Sequence, residues 1–130
     1  MASIFTKIIS GEIPCHKVAE TEDAIAFLDI RPLKRGHTLI VPKQEVDKLF
    51  DLPHDTYTKV MDLAYKVGQA MEKSIPCKRI GVAVLGLEVP HAHVHLIPID
   101  SERDLNFAND RMSFTDEEWE QTVKDIQAGL

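Results

Sequence analysis

The chain has 130 residues, of which 44% are hydrophobic and 28% charged, and its formal net charge is −6 at pH 7. That length suits one domain with a real core, and the composition excludes disordered, collagen-like and low-complexity classes. The acidic balance, with no local cluster of Lys and Arg, argues against a nucleic-acid partner.

In chain order, Ile4-Phe5-Thr6-Lys7-Ile8-Ile9 carries apolar residues at helical spacing and meets a stop at Gly11, which predicts a short helix. Lys17–Glu20 and Ala24–Asp29 flank the polar turn Thr21-Glu22-Asp23 and read as a β-hairpin. Arg31–Gly36 is a loop, and His37–Val41 a buried strand closed by Pro42. Residues 45–50 read as a short helix with Val46, Leu49 and Phe50 inward. The longest helix is expected over Asp55–Lys73, with Tyr57, Val60, Met61, Ala64, Val67, Gly68 and Met71 as its apolar stripe. Such a stripe is ordinary core.

Arg79–Leu85 and His91–Ile97 are the last predicted strands, interrupted by Gly86 and Pro90. Residues 100–113 are polar and read as a surface loop, which covers the functional site or nothing at all. Thr115 and Glu118 form a capping box, with Phe114 and Trp119 at the positions of a hydrophobic staple, so a helix follows with Trp119, Val123 and Ile126 on its sticky face. The fold class is α+β: an antiparallel sheet with helices packed on one face, plus an extra C-terminal helix. Cys15 and Cys77 belong to no CxxC pair, no secretory signal opens the chain, and no apolar run nears the ~20 residues that span a bilayer. A cytoplasmic protein without a membrane partner is expected.

His91-Ala92-His93-Val94-His95 is the informative segment. Side chains alternate along a strand, so three imidazoles share one face and Ala92, Val94 and Leu96 take the other. Two chemistries suit the row. As metal ligands, His91 and His95 would have Cα atoms ~13 Å apart, so a neighbouring pair could share an ion more easily than all three, with Glu88 or His37 as third ligand. As a nucleophilic array, the central ring attacks an electrophile while its neighbours place hydrogen bonds around developing charge. A phosphate centre uses three imidazoles better than core packing does.

His91-x-His93-x-His95-Leu96-Ile97 resembles the histidine-triad (HIT) motif, in which three histidines alternate with apolar residues. Ser3–Pro14, Ala26–Pro32 and Gly36–Lys43 are similar to further blocks of that family, in the same order, and the likeness is greatest to its Hint branch of nucleotide-binding proteins. The resemblance implies a single HIT domain over residues 1–130, with a core at 3–98 and a C-terminal loop and helix at 99–130. It implies that His93 is the nucleophile, that His95 contacts phosphate, that His91 supports the middle ring and that His37 buttresses the set. Asp29 would bind both ribose hydroxyls. Ile4, Phe5, Ile8, Ile13, Phe27, Leu28 and Ile30 would line the purine pocket, although the same residues read as core from the sequence alone. Glu88 and Val89, just before the triad, complete the implied nucleotide-binding set.

The implied activity is hydrolysis or transfer at the α-phosphate of purine nucleoside phosphoramidates or dinucleotide polyphosphates. It would pass through a nucleotidyl-histidine, with no metal or cofactor and as a homodimer. A purine-nucleotide-binding module with little catalysis is the alternative. The segment Val84–Pro90 is shorter than the family's Gly-rich loop, and Glu88 falls where the Hint branch has a serine. Some bacterial relatives bind structural zinc through an N-terminal CxxC, but the matching positions here are Ser3 and Thr6, with Glu45 in place of a histidine. No metal is expected there.

Overall fold

The computed structural model describes residues 2–130. Its elements are α1 (Ile4–Ile9), β1 (Lys17–Glu20), β2 (Ala24–Leu28), β3 (Thr38–Pro42), α2 (His54–Ser74), β4 (Arg79–Ala83), β5 (Val94–Ile99) and α3 (Asp116–Ala128). The strands form one antiparallel sheet in the order β1-β2-β3-β5-β4. Among the described residues, no helix is long and apolar enough to cross a membrane.

Alternation decides which side chains meet. In β2, Ala24, Ala26 and Leu28 face the main core, where Val60, Ala64, Val67 and Met71 of α2 cover them, while Ile25 and Phe27 face the other side. In β3, Ile40 joins the main core, and Leu39 and Val41 join the second cluster beneath Phe5 of α1. The helices therefore lie on both faces of the sheet: α2 and α3 on one, α1 on the other. The expected one-sided arrangement fails because Phe5 and Ile8 of α1 need an apolar seat, and the second face of β2 and β3 supplies it.

Thr115 accepts from the Glu118 N–H, and the Glu118 carboxylate accepts from the Thr115 N–H, so the capping box starts α3 as expected. Phe114 and Trp119 meet edge to face at 5.2 Å, closing the staple. Ile126 is fully buried against the core, and Trp119 also stacks on His16 with centroids 4.7 Å apart. The long helix exceeds its expected bounds by one residue at each end, and it also buries Leu63 and Ala70.

Three expectations change. Residues 45–50 do not form a helix; one 3-10 turn over Leu49–Asp51 buries Leu49 and leaves Phe50 86% exposed, because adjacent positions of a single turn cannot both face inward. The strand expected over Arg79–Leu85 stops at Ala83, whose partner is His95, one position short of the Val94 start of β5. The same late start shortens the strand expected over His91–Ile97 at its front, while at its end it runs on through Pro98 to Ile99. Pairing with β3 ends at Leu96, so the missing Pro98 N–H breaks no ladder on that side.

Candidate active site

His93 and His95 line a cleft of about 1070 Å³ on the α1 face of the sheet. That volume is slightly above the ~300–1,000 Å³ usual for small-molecule sites. All three triad rings lie on this face, while Ala92, Val94 and Leu96 join the opposite core. The alternation holds although only the last histidine lies within a strand. The backbone before it is pinned by other means: the His91 N–H donates to the Val89 carbonyl and the Ala92 N–H to the Val46 carbonyl.

Backbone partners fix the tautomer of each ring. The His93 Nδ1–H donates to the His91 carbonyl at 2.7 Å, because a carbonyl can only accept. Its Nε2 therefore carries the lone pair. The Leu33 N–H donates to His37 Nδ1 at 3.0 Å, so the His37 proton sits on Nε2 and is donated to His95 Nδ1 at 3.0 Å. The His95 proton must then sit on its own Nε2. One ring thus ends in a free acceptor, and its neighbour, 4.9 Å away by centroid, ends in a donor.

Burial holds these rings neutral. It pushes the His37 and His95 pKa values down to about 3, with the neighbouring histidine and Arg111 adding to the effect. Burial also lowers His93, more modestly, against the hydrogen bond to the His91 carbonyl. At neutral pH the pair 93/95 is uncharged, one ring offering an acceptor nitrogen and the other a donor.

His91 is fully buried and stands behind the cleft. Its Nε2–H donates to the Pro42 carbonyl at 2.8 Å, and its Nδ1 accepts from the Ser3 hydroxyl at 2.7 Å. Ser3 also caps α1 by accepting from the Thr6 N–H. One Glu45 oxygen accepts from the Ser3 N–H at 2.7 Å and from the Thr6 hydroxyl at 2.5 Å. These hard oxygen groups satisfy one another and make a poor seat for zinc, which favours thiolate and imidazole. Ser3→Ala is expected to cost about 2–4 kcal/mol, as a lost cap plus a buried imidazole nitrogen without a donor. Urea unfolding reads this directly, and a change below about 0.5 kcal/mol, the size of an ordinary surface substitution, would remove Ser3 from the network.

Asp29, His37 and His95 each place one potential ligand atom within 4.8 Å of the others. The tautomers oppose a cation there. His37 Nε2 holds the proton, and moving it to Nδ1 would set it against the Leu33 N–H. Asp29 Oδ1 accepts from the Arg31 N–H at 2.9 Å, and Oδ2 lies 3.6 Å from His37 Nε2. Burial raises the Asp29 carboxyl, and the Arg31 N–H, Arg111 and His93 work against that rise.

Of the residues expected at a nucleotide pocket, Ile4, Phe5, Asp29, Ile30, Glu88 and Val89 line the cleft. Phe5 stands edge-on to His91, His93 and Phe27, at 5.8, 4.9 and 5.7 Å between centroids. Phe27 and Ile8 lie behind it in the second cluster, and Ile13 is half-buried away from the cleft. Leu28 points through the sheet into the main core, one strand position out of phase with Phe27. His37 and His91 lie behind the lining.

The segment after β5 also covers this cleft. Its first part is a 3-10 turn over Glu102–Leu105; further on, Phe107 packs edge-on against His95 at 4.8 Å, and Asn109 and Arg111 complete the wall. The loop expected over residues 100–113 thus covers the site, though the sequence reading singled out neither Phe107 nor Arg111. The available signal was an aromatic residue four positions before a cation in an otherwise polar stretch.

A family model described as the HIT domain matches residues 10–102. The chain is 41% identical over 103 residues to adenosine 5′-monophosphoramidase HNT1 of Saccharomyces cerevisiae, a match covering 78% of this chain and 65% of the yeast protein. It is 36% identical over 103 residues to the corresponding hnt1 phosphoramidase of Schizosaccharomyces pombe, covering 78% and 77%. A HIT-like protein from Bartonella henselae, described as involved in cell-cycle regulation, superposes with a TM-score of 0.84 at 32% identity, covering 98% of this chain and 96% of that one. A Zn-bound histidine triad family protein from Mycobacterium smegmatis gives 0.83 at 27% identity, covering 99% and 93%. The near-complete coverage of these structures extends the likeness through α3.

Proposed function

The chain belongs to the histidine-triad (HIT) family, and from that premise we propose that it is a nucleotide hydrolase acting at the α-phosphate of a purine nucleoside phosphoramidate or dinucleotide polyphosphate. The observation that carries this reading is the pair of opposed tautomers: a lone pair on His93 Nε2 beside a proton on His95 Nε2, both rings lining one cleft. The phosphoramidase names of two yeast relatives support the substrate class.

In the first half-reaction, His93 Nε2 attacks the α-phosphorus and the bond from phosphorus to the leaving group breaks. The nucleotidyl group is transferred to the ring, whose positive charge is supported through Nδ1–H by the His91 carbonyl. The His95 Nε2–H donates to a non-bridging oxygen as charge builds there. An amine departs with a proton taken from solvent. In the second half-reaction, water attacks phosphorus, the bond from phosphorus to His93 breaks, and the water's proton leaves to solvent with the monophosphate released.

Asp29 retains carboxylate lone pairs for two ribose hydroxyls, and Ile4, Phe5, Ile30 and Val89 offer the base an apolar wall. No step requires a metal. Rapid mixing with a radiolabelled adenosine phosphoramidate tests the scheme: acid-labile label on the protein and monophosphate product are expected, and neither would leave a binding module.

The protonation state sets the pH profile. His93 must be neutral to attack, and burial places its pKa below the ordinary 6.5. Turnover is expected to stay level as pH falls through 6.5 and to drop only at lower pH. A loss already half complete above that value would contradict this nucleophile.

The chain forms a homodimer in this reading, supported by the free outer edge of β4. Val82 is 55% exposed there, and Leu87 just beyond is 90% exposed, as suits a surface that a second copy covers. The whole of residues 1–130 serves as one domain, and two unpaired thiols fit a cytoplasmic setting.

A further inference from the structure

The triad brings hydrogen bonds to phosphate but no charge. Burial, helped by His93 and Arg111, keeps His37 and His95 neutral at physiological pH. The cleft wall carries the carboxylates Asp29, Glu88 and Asp110, and among its described residues the permanent cations are Arg31 and Arg111. A substrate phosphate therefore meets a net acidic wall unless one of these arginines is aimed at it. Arg31 is exposed and bonds Asp29 through its backbone N–H.

Arg111 is half-buried and held on three sides. It donates to the Arg31 carbonyl at 2.7 Å and to the Phe107 carbonyl at 3.1 Å, and its guanidinium lies 5.7 Å from the Phe107 ring centroid. Phe107 in turn rests on the His95 ring. The next residue is pinned as well, its N–H donating to the Pro32 carbonyl at 2.9 Å. Two carbonyls cannot use all the N–H groups of a guanidinium, so fixed charge-bearing donors remain. Two immobilised loops and a stacked aromatic hold the cation beside the imidazole that would face the phosphate.

We propose that Arg111, a residue outside the triad motif, is the cation that recognises the substrate's phosphate in this cleft. The segment following β5 then serves as part of the binding machinery, and ligands with a 5′-phosphate are favoured over the bare nucleoside. This inference rests on the reading of the cleft as a nucleotide site.

The test compares binding of adenosine 5′-monophosphate and adenosine by calorimetry in the wild type, Arg111→Gln, Arg111→Lys and Arg31→Gln. Wild type is expected to prefer the monophosphate, and Arg111→Gln to reduce that preference by about 10- to 100-fold, the worth of a charge-assisted hydrogen bond. Arg111→Lys should recover part of it, and the preference should also weaken with added salt. Arg31→Gln should keep it. Three outcomes overturn the assignment: an undiminished preference in Arg111→Gln, equal weakening of both ligands there, or loss of preference only in Arg31→Gln. A wild type that binds neither ligand overturns the nucleotide reading and this inference with it.

Discussion

Replacing His93 with alanine is expected to lower turnover of adenosine 5′-phosphoramidate by about 10⁴-fold or more, as loss of a covalent nucleophile does, while adenosine 5′-monophosphate still binds within about threefold, because the contacts assigned to binding are elsewhere. The ring's Nδ1–H is fixed on the His91 carbonyl, and its Nε2 is the unprotonated nitrogen left for the cleft. His95 cannot substitute, because His37 donates to its Nδ1 and leaves its Nε2 protonated. Stopped assays with a sensitive product readout, paired with calorimetry, separate the two effects. Substantial turnover in the variant would sink the covalent route, and loss of binding to the same degree would make His93 a binding group.

The second large effect is acid destabilisation. His37 and His95 have folded pKa values of about 3 against an ordinary 6.5, because both are buried. The folded state thus binds fewer protons than the unfolded state between those values, so stability is complete above 6.5 and falls as pH drops toward 3. For two such groups the loss reaches roughly 4 kcal/mol by pH 5, a large share of the 5–15 kcal/mol typical of a domain. The raised carboxyl of Asp29 acts in the opposite sense and trims this loss. The lowered carboxylates, such as Glu20 at about 2, contribute only at more acid pH. Urea midpoints taken across this range measure the slope, and a flat profile from neutral pH to pH 5 would refute burial of neutral rings. The pH at which turnover drops and the pH at which the fold weakens therefore need separate measurement.

Elements with a strong local signal were readable before any tertiary contact was known. The capping box at Thr115 and Glu118, the stripe from Val60 to Met71 and the hairpin around Thr21–Asp23 each depend on neighbours in sequence, and all three stand in the structure. Leu28 shows the limit. Its apolar character and position suited a nucleotide pocket as well as a core, and only the phase of β2 sends it to the α2 side while Phe27 faces α1. Phe50 was misplaced for a related reason, since a run of apolar residues does not say whether the backbone makes a full helix or one 3-10 turn.

The sequence by itself determined the array and its family likeness: three imidazoles at alternate positions, on one face, in a chain whose other blocks resemble one family. Alternation is a property of the extended backbone and needs no partner to be read. What the tertiary structure decided is which nitrogen of each ring carries a proton. That depends on Leu33, Pro42, the His91 carbonyl and Ser3, backbone and side-chain groups up to 88 residues distant along the chain. It also brought Phe107 against His95 and Arg111 onto the cleft wall, through loop contacts that leave no periodic trace in the sequence. Side-chain type is written locally, whereas protonation and charge balance are set by whichever groups folding places within a few ångströms.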